Sequence, residues 1–150
     1  MTIVAKKVNA TAPLLNTSLP RGIRNNNPGN IRRTTDQWEG IKAVQTDPIY
    51  VEFVHPKYGF RAMTRILRNY QKVGVTTVRE IIGRWAPHEE NPTAHYVKFV
   101  AEKLGQHPDS PVNLNSQLLP LIKAMTAFEN GTTFADYYGD QTIKEGIALA

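Results

Sequence analysis

Residues 115–131, NSQLLPLIKAMTAFENG, predict a helix whose apolar stripe ends on an acidic residue. The stripe advances in steps of four, three and four through Leu118, Ile122, Met125 and Glu129. That spacing places all of these side chains on one face of a helix. Gly131 predicts the helix end, and Pro120 is expected in the first turn, where a proline is tolerated. Glu129 is therefore expected at the C-terminal end of a core helix, partly buried.

Helices are predicted on both sides of this stretch. Helical spacing and capping signals place them over 58–72, from Thr77 to Trp85, from Asn91 to Leu104, and from Asp140 onward. Residues 50–54 alternate well enough for one short strand, with Val51 and Phe53 on the same face. The expected fold class is mainly α, with a minor strand region.

The chain length fits one domain. The 150 residues, 16.8 kDa, can close a single modest core. Residues 1–20 are expected to form a flexible N-terminal arm, and residues 21–150 the domain. Cysteine is absent, which excludes disulfides, thiolate nucleophiles and cysteine-ligated zinc. We predict neither a transmembrane segment nor a secretory signal, because no long apolar run is present.

Charge is distributed unevenly along the chain. The net charge is +5, but residues 21–84 carry +7 and contain every arginine, whereas residues 85–150 carry −4. A basic half suits a polyanion, either nucleic acid or an anionic cell-wall polymer. The alternative is a solvated surface that keeps the protein in solution.

The position predicted for Glu129 has a chemical consequence. Partial burial disfavours an ionised carboxylate, and so does the negative end of a helix dipole. Both effects are expected to raise the pKa of Glu129. A carboxyl group that keeps its proton near neutral pH is what a glycosidic oxygen requires from a general acid. The alternative is a glutamate that pairs with an arginine and only holds the fold.

An asparagine cluster is the second unusual feature. Asn25, Asn26, Asn27 and Asn30 surround a predicted Pro28–Gly29 turn. Amide side chains suit neutral hydroxyl and N-acetyl groups, but they equally well satisfy backbone groups of a turn. Both interpretations remain open from the sequence.

Several kinds of site lack their usual signals. The histidines His55, His88, His95 and His107 do not show metal-ligand spacing. The nucleophile elbow, the phosphate-binding loop and the dinucleotide fingerprint are all absent. We therefore predict neither a metal nor a cofactor.

Several motifs together resemble a known family. They are RGIRNNNPGNIR at 21–32, WEG at 38–40, YGFRA at 58–62, RWAPHEENPTAHYV at 84–97 and FENG at 128–131. They resemble small phage and prophage proteins described as virion or structural proteins with a lysozyme-like, peptidoglycan-degrading character, and the resemblance covers about residues 21–148. The chain is more loosely similar to cell-wall glucosaminidases and lytic transglycosylases of the lysozyme superfamily, in which the catalytic helix precedes the Asn segment. Residues 1–35 contain no Asp or Glu, so we hypothesise a circularly permuted lysozyme-like α+β fold.

The resemblance implies cleavage of peptidoglycan glycan strands. Glu129 would protonate the glycosidic oxygen. A hydrolase would need a second carboxylate, with Glu90 or Glu39 available, whereas a lytic transglycosylase needs none and is the favoured route. The residues expected to hold sugars are Asn26, Asn27, Asn30, Tyr58 and Tyr96.

The resemblance also implies a location and partners. The protein is expected in a phage virion or in the bacterial host cytoplasm, acting in the periplasm, with glycan strands and other virion proteins as partners. The alternative function is a non-catalytic virion component that binds murein or DNA. A transcription regulator is disfavoured because no base-reading helix-turn-helix spacing is visible.

Overall fold

The computed structural model describes residues 18–87 and 93–150. Over these residues the chain is mainly helical, as predicted. The α-helices are α1 (Arg21–Arg24), α2 (Pro56–Lys72), α3 (Val78–Trp85), α4 (Thr93–Leu104), α5 (Leu114–Asn130) and α6 (Asp140–Leu149), and a 3-10 turn covers Thr132–Phe134. Within the described ranges, antiparallel pairing is limited to isolated bridges, Arg32 with Tyr50, Ile41 with Phe53 and Thr77 with Pro111. None of the helices described is long and apolar enough to cross a membrane.

Helix α5 runs through the core. It packs against α4 and also contacts α1 and α2. Leu121, Ile122 and Met125 are completely buried, and each contributes about 1.5–3 kcal/mol by leaving water. The helix begins earlier than expected, because the Asn113 side chain caps it by accepting a hydrogen bond from the backbone N–H of Asn115.

The earlier start changes the place of Pro120. This residue lies in the second turn of α5 rather than in the first, so the expectation was wrong. Because proline has no backbone N–H, the helical hydrogen bond to the carbonyl oxygen of Ser116 is not made. Pro120 is exposed, and its ring therefore faces solvent.

Helices α2 and α6 approach each other closely at Gly146. A Cβ atom there would lie 2.5 Å from Cβ of Phe60 and 2.7 Å from the carbonyl oxygen of Lys57. Helix α2 starts at Pro56 rather than at residue 58, because the His55 side chain caps it by accepting from the N–H of Lys57. This close pair fixes the C-terminal helix on the core.

Three predicted helix boundaries are confirmed in detail. Thr77 and Glu80 form the predicted capping box, each side chain accepting a backbone N–H of the other residue, and α3 ends at Trp85. Helix α4 ends at Leu104, and Gly105 has a φ of +67°. The predicted start of α4 at Asn91 lies outside the described residues, as do residues 1–17 of the expected N-terminal arm.

The predicted strand at 50–54 does not form. Val51 and Phe53 are buried as expected, but Glu52 between them is buried too. The backbone N–H groups of this segment pair with separate partners, Val51 with Ile31 (3.0 Å), Phe53 with Asn25 (2.9 Å) and Val54 with Gly40 (2.8 Å). Because the partners are scattered along the chain, no continuous ladder is built.

Two carboxylates hold the loop that leads into this segment. Asp47 accepts from Nε and Nη2 of Arg21, both at 2.6 Å, and from Nδ2 of Asn25 at 2.9 Å. The hydrogen bond from Arg21 is the main reason that the pKa of Asp47 lies well below its usual range. Burial alone would raise the pKa of Glu52, but hydrogen bonds from the N–H groups of Asp47 and Thr46 outweigh it and lower that pKa.

Candidate active site

Glu129 lies where the helical stripe predicts it, at the last turn of α5. Its side chain is half-buried. Nδ2 of Asn30 donates to Oε1 of Glu129 at 2.9 Å and to its backbone carbonyl at 3.4 Å. Gly131 ends the helix with a φ of +94°. The predicted acid and one member of the asparagine cluster thus meet directly, although 99 residues separate them in sequence.

Tyr96 forms a hydrogen bond with the side chain of Glu129. Its side chain is completely buried on α4, and its ring stacks on Phe128 with a centroid separation of 4.1 Å. Burial raises the pKa of the Tyr96 hydroxyl well above its usual value, and the charge of Glu129 and a hydrogen bond to it raise that pKa further. The hydroxyl therefore stays protonated and remains a donor. It also lies 3.4 Å from the carbonyl oxygen of Met125.

Asn130 joins the end of α5 to the asparagine loop. Its Nδ2 donates to the carbonyl oxygen of Pro28 at 2.9 Å and to that of Thr126 at 3.0 Å. Oδ1 of Asn130 and Oδ1 of Asn30 are both buried and accept no hydrogen bond from the described part of the chain. Both oxygens instead pack on Gly22, where a Cβ atom would lie 2.5 Å from the first and 2.7 Å from the second.

The contact with Gly22 explains why a glycine stands there. One Cα hydrogen occupies the place of a Cβ and points between the two amide oxygens, as in weak C–H···O bonds. Gly22 lies in α1, which packs on α5. We call Glu129, Asn30, Tyr96, Asn130 and Gly22 together the Glu129 site.

The backbone of the asparagine loop is strained at two points. Asn26 has a φ of +53° and Asn30 a φ of +50°. Residues other than glycine rarely adopt this left-handed conformation, although asparagine tolerates it better than most. The conformation of Asn30 is part of what brings its amide to Glu129.

A comparison with known proteins finds a relative of this chain. Protein P5 of Pseudoalteromonas phage PM2 is 44% identical to the chain over 132 residues, which cover 85% of this chain and 79% of that protein. The chain belongs to the Protein P5 family. No family model matches it. Membership in the Protein P5 family supports the predicted phage origin.

Two predicted sugar contacts have other roles in this Protein P5 family member. Nδ2 of Asn26 donates to the carbonyl oxygen of Phe53 at 3.0 Å. Asn27 is completely buried, and its amide pairs with Ile31 and with the carbonyl oxygen of Val51, each at 2.9 Å. These residues satisfy backbone groups, which is the alternative that the sequence left open. Asn27 has no surface that a sugar can reach in this conformation.

The other three predicted sugar contacts are Tyr96, Tyr58 and Asn30, and they differ in exposure and in partners. Tyr96 is completely buried and hydrogen-bonded to Glu129, so it has no exposed surface for a sugar. The ring of Tyr58 lies directly under Gly40, with the ammonium group of Lys57 5.3 Å from its centroid, and so takes part in a different set of contacts. Only Asn30 among the five predicted sugar contacts both touches Glu129 and is partly exposed.

The candidates for a second carboxylate are not brought to Glu129 by the described contacts. Glu39 forms an ion pair with Arg61, with Oε1 of Glu39 3.3 Å from Nε of Arg61. Glu90 lies outside the described residues. Over residues 18–87 and 93–150, no three His, Asp or Glu side chains are grouped closely enough to hold a metal ion.

The sequence did not point to Gly22 or Asn130 as members of this site. Gly22 lies in a stretch whose composition predicts turns, and Asn130 lies at a predicted helix end within the motif at 128–131. Neither feature predicts that the two residues belong to one site. The glycine before the asparagine cluster and the amide after the acid are informative only once the two segments are known to touch.

Proposed function

We propose that this protein cleaves the glycan strands of peptidoglycan with Glu129 as the general acid. The observation that carries the proposal is the 2.9 Å hydrogen bond between Nδ2 of Asn30 and Oε1 of Glu129. It gives a half-buried carboxyl group at the end of a helix a fixed orientation, with an amide beside it. That combination suits protonation of a neutral ether oxygen flanked by hydroxyl and N-acetyl groups.

The chemistry needs a single carboxyl group. Glu129 gives its proton to the bridging oxygen, and the bond from this oxygen to C1 of the muramic acid breaks. The departing sugar leaves with a free hydroxyl group. The C6 hydroxyl of the same muramic acid then attacks C1 and returns its proton to Glu129, which closes a 1,6-anhydro ring. No water is consumed, and the acid is regenerated.

The contact of Glu39 bears on the choice between this route and hydrolysis. A hydrolase requires a partner carboxylate about 5–5.5 Å from the acid for retention, or about 6.5–9.5 Å for inversion. Glu39 is engaged by Arg61. Tyr96 and Asn30 surround Glu129 with donors that hold it in place when it is ionised and acts as the base.

The order of the elements along the chain supports a proposal about the fold. We propose a lysozyme-like α+β domain that is circularly permuted. The asparagine loop precedes the acidic helix by 99 residues, the reverse of the order in the lysozyme superfamily, yet Asn30 and Glu129 are in contact. Domain termini often lie close together, so permutation is physically tolerable.

Purified sacculi provide the test. Wild-type protein should clear them in a zymogram and release products that end in anhydro-muramic acid, detected by mass spectrometry. Glu129→Gln should lose about 10²–10⁴-fold in rate, the usual contribution of general acid catalysis. Glu145→Gln, an exposed acid on α6, is the matched control and should keep full activity. Glu90→Gln should also keep it.

The products distinguish the alternatives. Reducing ends in place of anhydro ends, with activity lost in Glu90→Gln, would replace the transglycosylase by a hydrolase. Clearing by Glu129→Gln at the wild-type rate would remove the proposed acid. No cleavage by the wild-type protein, together with binding to sacculi or DNA, would favour the non-catalytic virion component.

A further inference from the structure

A basic cleft lies between residues 31–38 and helix α2. It has a volume of about 600 Å³, and Arg32, Arg65, Arg68 and Lys72 supply its cations. Its wall also includes the half-buried indole of Trp38 and the side chain of Ile31. Ile31 directly follows Asn30, so the segment that supplies the amide to Glu129 continues into the wall of the cleft.

The cations of α2 form a regular row. Arg65, Arg68 and Lys72 are spaced by three and four residues, so they lie on one face of the helix and span about 10 Å along its axis. All three side chains are exposed. Within the described residues no ion pair involves any of them. The row is therefore available to an anionic ligand longer than a single phosphate.

We propose that this cleft binds the peptide stems that branch from the glycan strand, an inference that rests on the proposed function. These stems are short and carry several carboxylates, and before cross-linking they also carry a free amine. The row on α2 matches the carboxylates. Asp36 lies on the same wall and matches the amine. A phosphodiester chain offers negative charge alone, so Asp36 would repel it, and nucleic acid fits this wall less well.

The test measures binding rather than cleavage, in the Glu129→Gln background. Soluble glycan fragments of equal length are compared by isothermal titration calorimetry at low salt, one set carrying peptide stems and one set stripped of them by an amidase. The variant Arg65→Gln/Arg68→Gln/Lys72→Gln should weaken binding of the stem-bearing fragments about tenfold, the combined effect of three exposed ion pairs. Binding of the stripped fragments should not change.

A charge-matched control separates the cleft from net charge. Lys98→Gln/Lys103→Gln/Lys144→Gln removes the same charge from exposed positions on α4 and α6 and should leave both affinities unchanged. Equal losses on both fragment sets, or none on the stem-bearing set, would overturn the assignment. So would unchanged binding of stems together with lost binding of a single-stranded oligonucleotide, which would show a phosphate ligand. If wild-type protein cleaves nothing but the stem-specific loss is found, the cleft assignment stands and the proposed activity fails.

Discussion

Gly22 offers the sharpest test of how the Glu129 site is held together. In Gly22→Ala the new methyl group would lie 2.5 Å from Oδ1 of Asn130 and 2.7 Å from Oδ1 of Asn30. It would also lie 2.9 Å from the backbone carbonyl oxygen of Asn27. Contacts this short cannot persist, so either the amides or α1 must move.

The size of the effect follows from two opposing terms. Overpacking a close contact costs about 1–3 kcal/mol. Replacing glycine by alanine inside a helix returns about 0.5–1 kcal/mol. The midpoints of these two ranges give a net loss of unfolding free energy of about 1.3 kcal/mol, which lowers Tm by about 3–5 °C in a domain of this size. If Glu129 is the acid, the displaced Asn30 should also reduce glycan cleavage.

Gly83→Ala is the matched control, since it makes the same substitution at an exposed position within α3 where nothing lies within 4 Å of the new methyl group. It should raise the unfolding free energy by about 0.4–1 kcal/mol. Thermal unfolding followed by circular dichroism measures both variants. A Gly22→Ala protein as stable as the Gly83→Ala protein would refute the packing of the two amides on Gly22.

Asn30→Ala should cost less in the Gly22→Ala background than in the wild type, because the clash has already displaced that amide.

Three other changes test separate parts of the structure. Gly146→Ala should cost about 1–2 kcal/mol in urea unfolding, because the clash of the new methyl group with the backbone of α2 exceeds the gain from alanine in a helix, and an unchanged urea midpoint would contradict the close approach of α2 and α6. Since the folded pKa of Asp47 lies below its ordinary value of 3.8, its stabilisation is complete above about pH 5 and is lost as pH falls. Asp47→Ala should therefore be less stable than wild type at pH 7 and show a shallower acid-induced loss in urea midpoint, and parallel pH curves would argue against this role. Tyr96→Phe should slow glycan cleavage about tenfold and cost about 1–2 kcal/mol, because Glu129 loses a donor; a change in stability without any change in rate would make the hydroxyl structural only.

Local signals predicted the helices well. The capping box at Thr77 and the stripe that ends at Glu129 depend on residues within a few turns of each other, and both are present as predicted. The predicted position of Pro120 was wrong because α5 starts after Asn113. Asn113 and Asn115 are both good capping residues, so the sequence does not show which of them starts the helix. The strand at 50–54 failed because its backbone pairs with distant loops, and alternation of side chains does not report such partners.

The site itself was only partly predictable. Spacing placed Glu129, and residue chemistry pointed to the asparagine cluster, but neither indicates which asparagine reaches the acid. Asn26, Asn27 and Asn30 are the same residue type in one short loop, yet only Asn30 faces Glu129. The difference lies in backbone direction, set by contacts with α5 and with residues 51–53 that are distant in sequence.

The long separation between Asn30 and Glu129 has a consequence for biosynthesis. A polypeptide emerging from the ribosome has its amide loop 99 residues before it acquires the carboxyl group. Loop closure over this length must then bring the two together. Products that terminate before residue 129 accordingly lack the carboxyl group, and the assembled pair exists only in chains that extend past this residue and have folded.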